Sequence, residues 1–137
     1  MNLAVRQRVL FLCIHNSARS QMAEGWLRSL GGAAFEAASA GTDPMPIRPE
    51  VIEVMREVGL DLAGYKSKAI ADMSGQSFDV AVTVCDEASE ACPVFTRAKR
   101  TLHWSIQDPA VRSRGLEGFR EARDEIRGRI EAELLDP

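Results

Sequence analysis

Short apolar runs alternate with amphipathic segments along this chain. Residues 9–14 and 79–84 are mostly apolar, which is typical of strands that a parallel sheet buries on both faces. Residues 35–40, stopped by Gly41 and Pro44, predict a further strand, and so do residues 101–104.

Three other segments carry apolar residues at helical spacing. Residues 21–30 and 50–58 each place apolar side chains on one face and end at a glycine. The clearest helix follows the last strand, with an inner stripe formed by Phe119, Ala122, Ile126, Ile130 and Leu134. Alternating strands and helices predict an α/β fold, a parallel sheet wrapped by helices, in which ligands bind beyond the carboxyl ends of the strands.

Composition narrows the class of protein. A length of 137 residues predicts a single domain over residues 1–137. Seventeen basic and twenty acidic side chains leave a net charge of −3, which gives no electrostatic case for nucleic acid or a membrane surface as partner. No apolar run approaches the roughly 20 residues that cross a bilayer, and residues 1–8 lack the features of a signal peptide. Three cysteines do not suggest a secreted disulfide framework, so a cytoplasmic location is expected.

The polar turn after the first strand has the pattern Cys, five residues, Arg, Ser, from Cys13 to Ser20. A loop between a strand and a helix can turn its backbone N–H groups inward to cradle an anion. Arg19 adds a planar fork for two oxygens of an oxyanion, and Asn16 is a residue type that accepts a left-handed backbone. The spacing alone is a weak signal, also compatible with a buried cysteine and a surface arginine. The strand before it and the helix after it favour the anion loop.

The same loop suits a nucleophile. Inward N–H groups, the helix dipole and Arg19 favour the thiolate form of Cys13, and Ser20 could donate a further hydrogen bond to it. A thiolate held against the central atom of a bound oxyanion is placed for in-line attack.

Residues 9–25 resemble the phosphate loop of low-molecular-weight protein tyrosine phosphatases, and are closer still to their arsenate-reductase relatives. Residues 39–41 match the end of the family's second strand. The resemblance implies a three-layer α/β fold with a four-stranded parallel sheet flanked by helices. It also implies that the oxyanion is bound by the loop residues His15, Asn16, Ser17, Ala18, Arg19 and Ser20.

Cys85 ends the third predicted strand, and Cys92 follows seven positions later. Each could be an ordinary structural thiol. Residues 86–91 have a helix-forming composition, and seven positions on a helix span about 10 Å, whereas a disulfide needs Cα atoms within about 7 Å. We therefore predict that this helix must partly unwind for Cys85 and Cys92 to bond.

Thioredoxin-coupled arsenate reductases carry this cysteine separation in the same place, and the resemblance implies a relay. Cys13 attacks arsenate, Cys85 attacks Cys13 and releases arsenite, and Cys92 attacks Cys85. Thioredoxin is then the external reductant of the Cys85–Cys92 disulfide, with no bound cofactor, although related scaffolds use glutathione or mycothiol. Phosphate and sulfate are expected as mimics of arsenate.

Asp108 and Pro109 follow the last strand, where the family places a general acid, so the resemblance assigns that role to Asp108. Phosphatase members follow this pair with two tyrosines, whereas this chain has Ala110 and Val111 there. That departure disfavours a pocket for aryl phosphates.

Some reductase members bind potassium through residues matching Asn16, Glu24 and Ser39 and a carboxylate aligned near Lys68. A lysine at that position supplies a positive charge itself, so we predict activity that is insensitive to potassium. His15 and His103 lack zinc-type spacing with the cysteines, and no metal ligand is expected.

Two other functions stay open. A phosphomonoesterase would use Cys13, Arg19 and Asp108 without redox turnover. A thiol sensor or arsenite-binding module would use only the three cysteines, leaving Arg19 and Asp108 without a role. A monomer is expected, since no apolar association surface is evident.

Overall fold

The computed structural model describes residues 6–88, 90–112 and 114–135. Four strands form one parallel sheet in the order β2-β1-β3-β4: β1 Gln7–Cys13, β2 Phe35–Gly41, β3 Phe78–Cys85 and β4 Ala98–Ser105. The helices are α1 Arg19–Gly31, α2 Pro49–Arg56, α3 Pro109–Arg112 and α4 Leu116–Ile130, the last continued by a π-helical turn, Glu131–Leu135. Short 3-10 turns lie at Gly32–Ala34 and Ile70–Met73. The predicted strands and the three long helices are confirmed, with ends shifted by a few residues.

The larger core lies between one face of the sheet and the three long helices. Alternate strand residues point into it because successive side chains of a strand face opposite ways. It gathers the inner stripe of α4 with apolar residues of α1, α2 and the strands, among them Phe11, Met22, Trp26, Met55, Val82 and Trp104. Burial of such a side chain is worth about 1.5–3 kcal/mol, so this layer supplies most of the hydrophobic stabilisation.

The opposite face has a smaller apolar cluster. Leu10, Leu12 and Ala81 of the sheet pack there beneath Met73 of the second 3-10 turn and Phe95 of the β3–β4 connection. The sheet is therefore flanked on both sides, as the resemblance implied, but far more heavily on one.

The two tryptophans are core residues. Trp26 is 3% exposed and donates to the Arg123 carbonyl, and Trp104 is fully buried and donates to Glu133. Across the described residues no helix has the length and apolarity that a bilayer crossing requires. The N-terminal residues 1–5, predicted to lack a signal peptide, lie outside the described residues.

Candidate active site

The loop after β1 turns its carbonyl groups outward. Three of them accept hydrogen bonds of 2.8–3.1 Å from the β2–α2 connection: Ile14 from Asp43, His15 from Met45, and Ser17 from Arg48. Across a trans peptide the C=O of one residue and the N–H of the next point in opposite directions. The N–H groups that follow these carbonyls therefore face the interior of the loop, an arrangement that can cradle an anion.

Asn16 organises the interior of this loop. Its φ of 50° makes it the one non-glycine residue in the described ranges with a positive φ, as its residue type suggested. Its buried side chain donates to Ser20 Oγ at 2.8 Å and accepts from Gln21 Nε2 at 3.0 Å and from the Lys68 N–H at 2.8 Å. The loop is thus tied to both α1 and the segment before the second 3-10 turn.

Cys13 ends β1 at the mouth of the loop. Its side chain is buried, and Sγ accepts a hydrogen bond from the Asn16 N–H at 3.2 Å. Ser20 Oγ lies 2.7 Å from the same sulfur. Because Asn16 donates to Ser20 Oγ, the serine hydroxyl hydrogen is free to be donated to Cys13. The Asn16 N–H and the Ser20 hydroxyl thus converge on this sulfur.

Arg19, the first residue of α1, is held by carbonyl and carboxylate groups. Its Nη1 donates to the Ile106 carbonyl at 2.8 Å, while Nη1 and Nη2 donate to the two carboxylate oxygens of Glu90 at 2.6 and 2.8 Å. Burial disfavours its charge, but the hydrogen bonds and charge of Glu90 outweigh burial and raise the pKa of Arg19. Glu90 is not among the site residues predicted from the sequence, because there it is only one acidic residue of a helix-forming segment.

Asp108 lies on the same side of the site. It follows Ile106, whose carbonyl holds Arg19, and its charge acts on the Arg19 guanidinium. Its Oδ1 accepts from the Ala110 N–H at 2.9 Å, which fixes the start of α3. Asp108 is half-buried at this edge of the site.

Cys85 and Cys92 form a disulfide with a Cα–Cα distance of 6.1 Å. In its described part the connecting segment has turns and no helix, although the Glu90 N–H donates to the Asp86 carbonyl at 2.9 Å. This agrees with the prediction that the segment is unwound when the bond forms. Ser89, within the predicted helix, lies outside the described residues.

The disulfide and Cys13 are on opposite faces of the sheet. Cys13 follows the alternation of Val9 and Phe11, which point into the larger core. Val82 and Val84 also point into the larger core. Cys85 is the residue after Val84, so its side chain points to the opposite face of the sheet. The strands that carry the two cysteines are neighbours, so both residues nevertheless lie at the carboxyl edge of the sheet.

His103 lies beside the disulfide. One of its ring nitrogens and the sulfurs of Cys85 and Cys92 lie within 4.8 Å of one another, a proximity that sequence spacing did not indicate. The ring contacts Thr83 Oγ1 at 2.6 Å and Glu87 Oε2 at 2.5 Å. His15, in contrast, is exposed on the outer side of the loop, where Nδ1 lies 3.0 Å from the Asp43 carbonyl.

A buried carboxylate supports the loop from behind. The Glu24 side chain is 3% exposed, accepts from Ser39 Oγ at 2.6 Å, and pairs with Arg28 at 2.7 Å. Lys68 Nζ lies 3.6 Å from the same carboxylate, so a positive charge is present there as predicted.

Gly41, at the end of β2, touches the loop directly. A Cβ there would lie 2.5 Å from the Ile14 carbonyl oxygen and 2.8 Å from the Asn16 nitrogen. Both are backbone atoms that cannot give way, so a glycine is needed where the strand meets the loop.

A parallel α/β sheet, a Cys-to-Arg anion loop at its carboxyl edge and an Asp-Pro turn define the class of low-molecular-weight phosphatase-like proteins. Residues 8–135 match the family described as low molecular weight phosphotyrosine protein phosphatase, and the chain belongs to this family.

Within the family the chain is similar to arsenate reductases. It is 38% identical to arsenate reductase 2 of Staphylococcus saprophyticus over 125 residues, covering 91% of this chain and 94% of that protein. A solved arsenate reductase in a phosphate-binding state superposes with a TM-score of 0.80 at 33% identity, covering 91% of this chain and 94% of the other. The thioredoxin-dependent arsenate reductase of Corynebacterium glutamicum gives 0.72 at 29% identity, covering 95% of this chain and 61% of that one.

Proposed function

We propose that this protein reduces arsenate to arsenite, with Cys13 as the nucleophile and the Cys85–Cys92 disulfide as the oxidised end product. One observation carries the proposal: a thiol at the mouth of an anion loop shares its sheet edge with a disulfide that has formed seven residues apart. The identity to proteins named arsenate reductase supports it.

The first step uses the loop. The inward N–H groups and Arg19 bind the arsenate oxygens, and the Cys13 thiolate attacks arsenic. One oxygen leaves as water after taking a proton from Asp108. The product is a thiol ester of As(V) on Cys13, and no electron has yet moved to arsenic.

The second step is the reduction. The Cys85 thiolate attacks Cys13 Sγ, a Cys13–Cys85 bond forms, and the S–As bond breaks. Its electron pair stays on arsenic, which leaves as As(III) in arsenite. Cys92 then attacks Cys85 and displaces the Cys13 thiolate, so the disulfide moves to Cys85 and Cys92. An external dithiol of the thioredoxin class reduces that bond, and no bound cofactor is needed.

This relay needs a large movement of Cys85. In the disulfide-bonded form Cys85 points away from the face that holds Cys13, so it must swing around the sheet edge to reach that sulfur. The residues after Cys85 are turns rather than a packed helix. The described part of this segment is held mainly by the disulfide and two ion pairs, and such contacts can be broken, so the movement is feasible. We further propose that the protein works in the cytoplasm, where thiols are kept reduced. We also propose that it works as a monomer.

The test follows NADPH consumption with arsenate, thioredoxin and thioredoxin reductase for wild type, Cys85→Ser and Cys92→Ser. We expect multiple turnover to fall to background in both variants. In a single turnover Cys92→Ser should still release one arsenite per molecule, whereas Cys85→Ser should release none. Ala91→Ser, an exposed neighbour, is the control and should keep wild-type turnover.

Wild-type turnover in both cysteine variants would refute the relay. The family also contains phosphatases, and robust aryl-phosphate hydrolysis without arsenate turnover would show that Cys13, Arg19 and Asp108 work as a phosphomonoesterase. Arsenite binding without either activity would indicate a sensor.

A further inference from the structure

Glu90 occupies the fork of the arginine that should bind the oxyanion. Two hydrogen bonds of 2.6 and 2.8 Å join its carboxylate oxygens to Nη1 and Nη2 of Arg19. The side chains are only 7% and 16% exposed, so water screens the pair weakly. A carboxylate with this geometry is a chemical mimic of one edge of a tetrahedral oxyanion.

Glu90 lies in the same short segment as the disulfide. Glu90 lies two residues before Cys92, and its Oε1 also accepts from the Asp86 N–H at 2.9 Å. The Glu90 N–H returns a bond to the Asp86 carbonyl at 2.9 Å, which closes a single turn between the two cysteines. The bond between Cys85 and Cys92 and the Arg19–Glu90 pair therefore belong to one local conformation.

Reduction of the Cys85–Cys92 disulfide should disrupt this conformation. When the disulfide is broken, residues 86–91 can adopt the helix that their composition favours. A helix would separate the Cα atoms of Cys85 and Cys92 by about 10 Å. They are 6.1 Å apart in the disulfide. We expect a rearrangement of that size to move the Glu90 carboxylate out of hydrogen-bond distance of a guanidinium that the Ile106 carbonyl holds in place.

We propose that Glu90 is an internal ligand of the oxyanion site, which neutralises Arg19 in the disulfide-bonded form and weakens the binding of arsenate and phosphate until the disulfide is reduced. In that form Glu90 balances the charge of the Arg19 guanidinium and accepts hydrogen bonds from both of its Nη atoms. The Asp108 carboxylate also lies near enough to act on this charge. Hydrogen bonds from Arg19 lower the pKa of Glu90, so the ligand stays ionised at neutral pH.

The benefit in turnover rests on the proposed function. Oxidised protein cannot reduce arsenate, so an oxyanion bound to it would be held without reaction. Linkage also requires the reverse effect: an oxyanion that competes with Glu90 for Arg19 must favour the reduced form of the protein by the same factor.

The experiment measures the affinity of inorganic phosphate by calorimetry, so it does not depend on arsenate turnover. Wild type, Glu90→Gln and Glu87→Gln are compared in the disulfide-bonded and the reduced states. Glu87 lies in the same segment but pairs with His103 rather than Arg19, so its substitution is the matched control. Thermal unfolding of each oxidised variant checks that it is folded.

We expect oxidised Glu90→Gln to bind phosphate about tenfold more tightly than oxidised wild type, within the range usual for coupled sites. Reduced wild type and reduced Glu90→Gln should agree within about twofold, and Glu87→Gln should behave as wild type in both states. In a dithiothreitol redox buffer, saturating phosphate should raise the equilibrium constant for reduction of wild type about tenfold and leave that of Glu90→Gln unchanged.

Equal phosphate affinity of oxidised wild type and oxidised Glu90→Gln would overturn the proposal. So would weaker binding by Glu90→Gln in both states, because Glu90 would then position Arg19 for the oxyanion instead of competing with it. Arsenate turnover by wild type is assayed separately, so failure of the proposed function and failure of this inference give different results.

Discussion

Two regions of the site are held by different kinds of contact. They are the anion loop, residues 13–20, and the relay segment, residues 86–92, which meet at Arg19 and Glu90. The loop is anchored by backbone hydrogen bonds from the β2–α2 connection and by the buried amide of Asn16. The described part of the relay segment is held mainly by one disulfide and two ion pairs, Arg19–Glu90 and His103–Glu87.

The difference matches the two halves of the proposed reaction. Attack on an oxyanion requires donors fixed in place before the substrate arrives, because any reorganisation adds to the barrier. Transfer of oxidising equivalents requires a sulfur that travels between partners. Contacts that can be broken by reduction or by a charge change allow that movement, whereas a network of buried amides does not.

The largest effect should come from breaking the loop alone. Cys13→Ser removes the nucleophile and should lower arsenate turnover by about 10⁴-fold or more. The Cys85–Cys92 disulfide of this variant should still be reduced by thioredoxin at the wild-type rate. A turnover within tenfold of wild type would contradict the role given to Cys13.

Asp108→Asn should lower single-turnover arsenite release by about 10²–10⁴-fold, because the amide cannot protonate the departing oxygen. Its Oδ1 can still accept from the Ala110 N–H, so the fold should be kept. The rate is measured by rapid quench, with the melting temperature as the check on folding. A rate equal to that of wild type would remove Asp108 from the mechanism.

Gly41→Ala tests the rigidity of the loop. Its Cβ would press on backbone atoms of Ile14 and Asn16, and overpacking of this kind typically costs about 1–3 kcal/mol of unfolding free energy. We expect that loss in urea unfolding, with arsenate turnover reduced about tenfold because the loop must shift. Gly75→Ala, where a Cβ would meet nothing within 4 Å, is the control and should be neutral. Equal unfolding free energies of the two variants would show that the loop backbone can shift to accommodate the added Cβ.

These two regions also differ in how far the sequence predicts them. The anion loop is local: a buried strand, a polar turn and a helix follow one another, and Asn16 suits the left-handed position that it occupies. The contact of Glu90 with Arg19 joins residues 71 positions apart, and no pattern in the segment indicates it. The composition of residues 86–91 favours a helix, but the disulfide overrides that preference. The close approach of Gly41 to the loop likewise depends on β1 and β2 pairing in register.

Acid should release the relay segment before the loop. Arg19 lowers the pKa of Glu90, and His103 lowers that of Glu87. The stability that these two carboxylates contribute through their hydrogen bonds is therefore fully present above the ordinary carboxyl pKa of about 4.3 and is lost as the pH falls through the lowered values. Apart from Arg19, residues 13–20 are held mainly by backbone N–H groups, amides and hydroxyls that do not titrate there.

The release of the relay segment in acid can be measured by hydrogen exchange of the oxidised protein. Exchange is compared at neutral and at acid pH after correction for the intrinsic rate. Residues 86–92 should lose protection in acid while residues 13–20 keep theirs, and a Glu87→Gln/Glu90→Gln double variant should show the acid pattern at neutral pH. Simultaneous opening of both regions would mean that the loop depends on the same ion pairs.

Potassium should have the smallest effect, because a cation is already present behind the loop. Lys68 Nζ lies 3.6 Å from Glu24, whose carboxylate is nearly inaccessible to solvent and holds Ser39 and Arg28. Wild-type arsenate turnover should therefore change by less than about twofold when potassium replaces sodium at constant ionic strength. Lys68→Ala removes one positive charge from a buried carboxylate, and potassium should then raise its activity more than sodium does. A several-fold rise for wild type, or no difference between the two cations for Lys68→Ala, would show that the lysine does not serve as the resident cation of this loop.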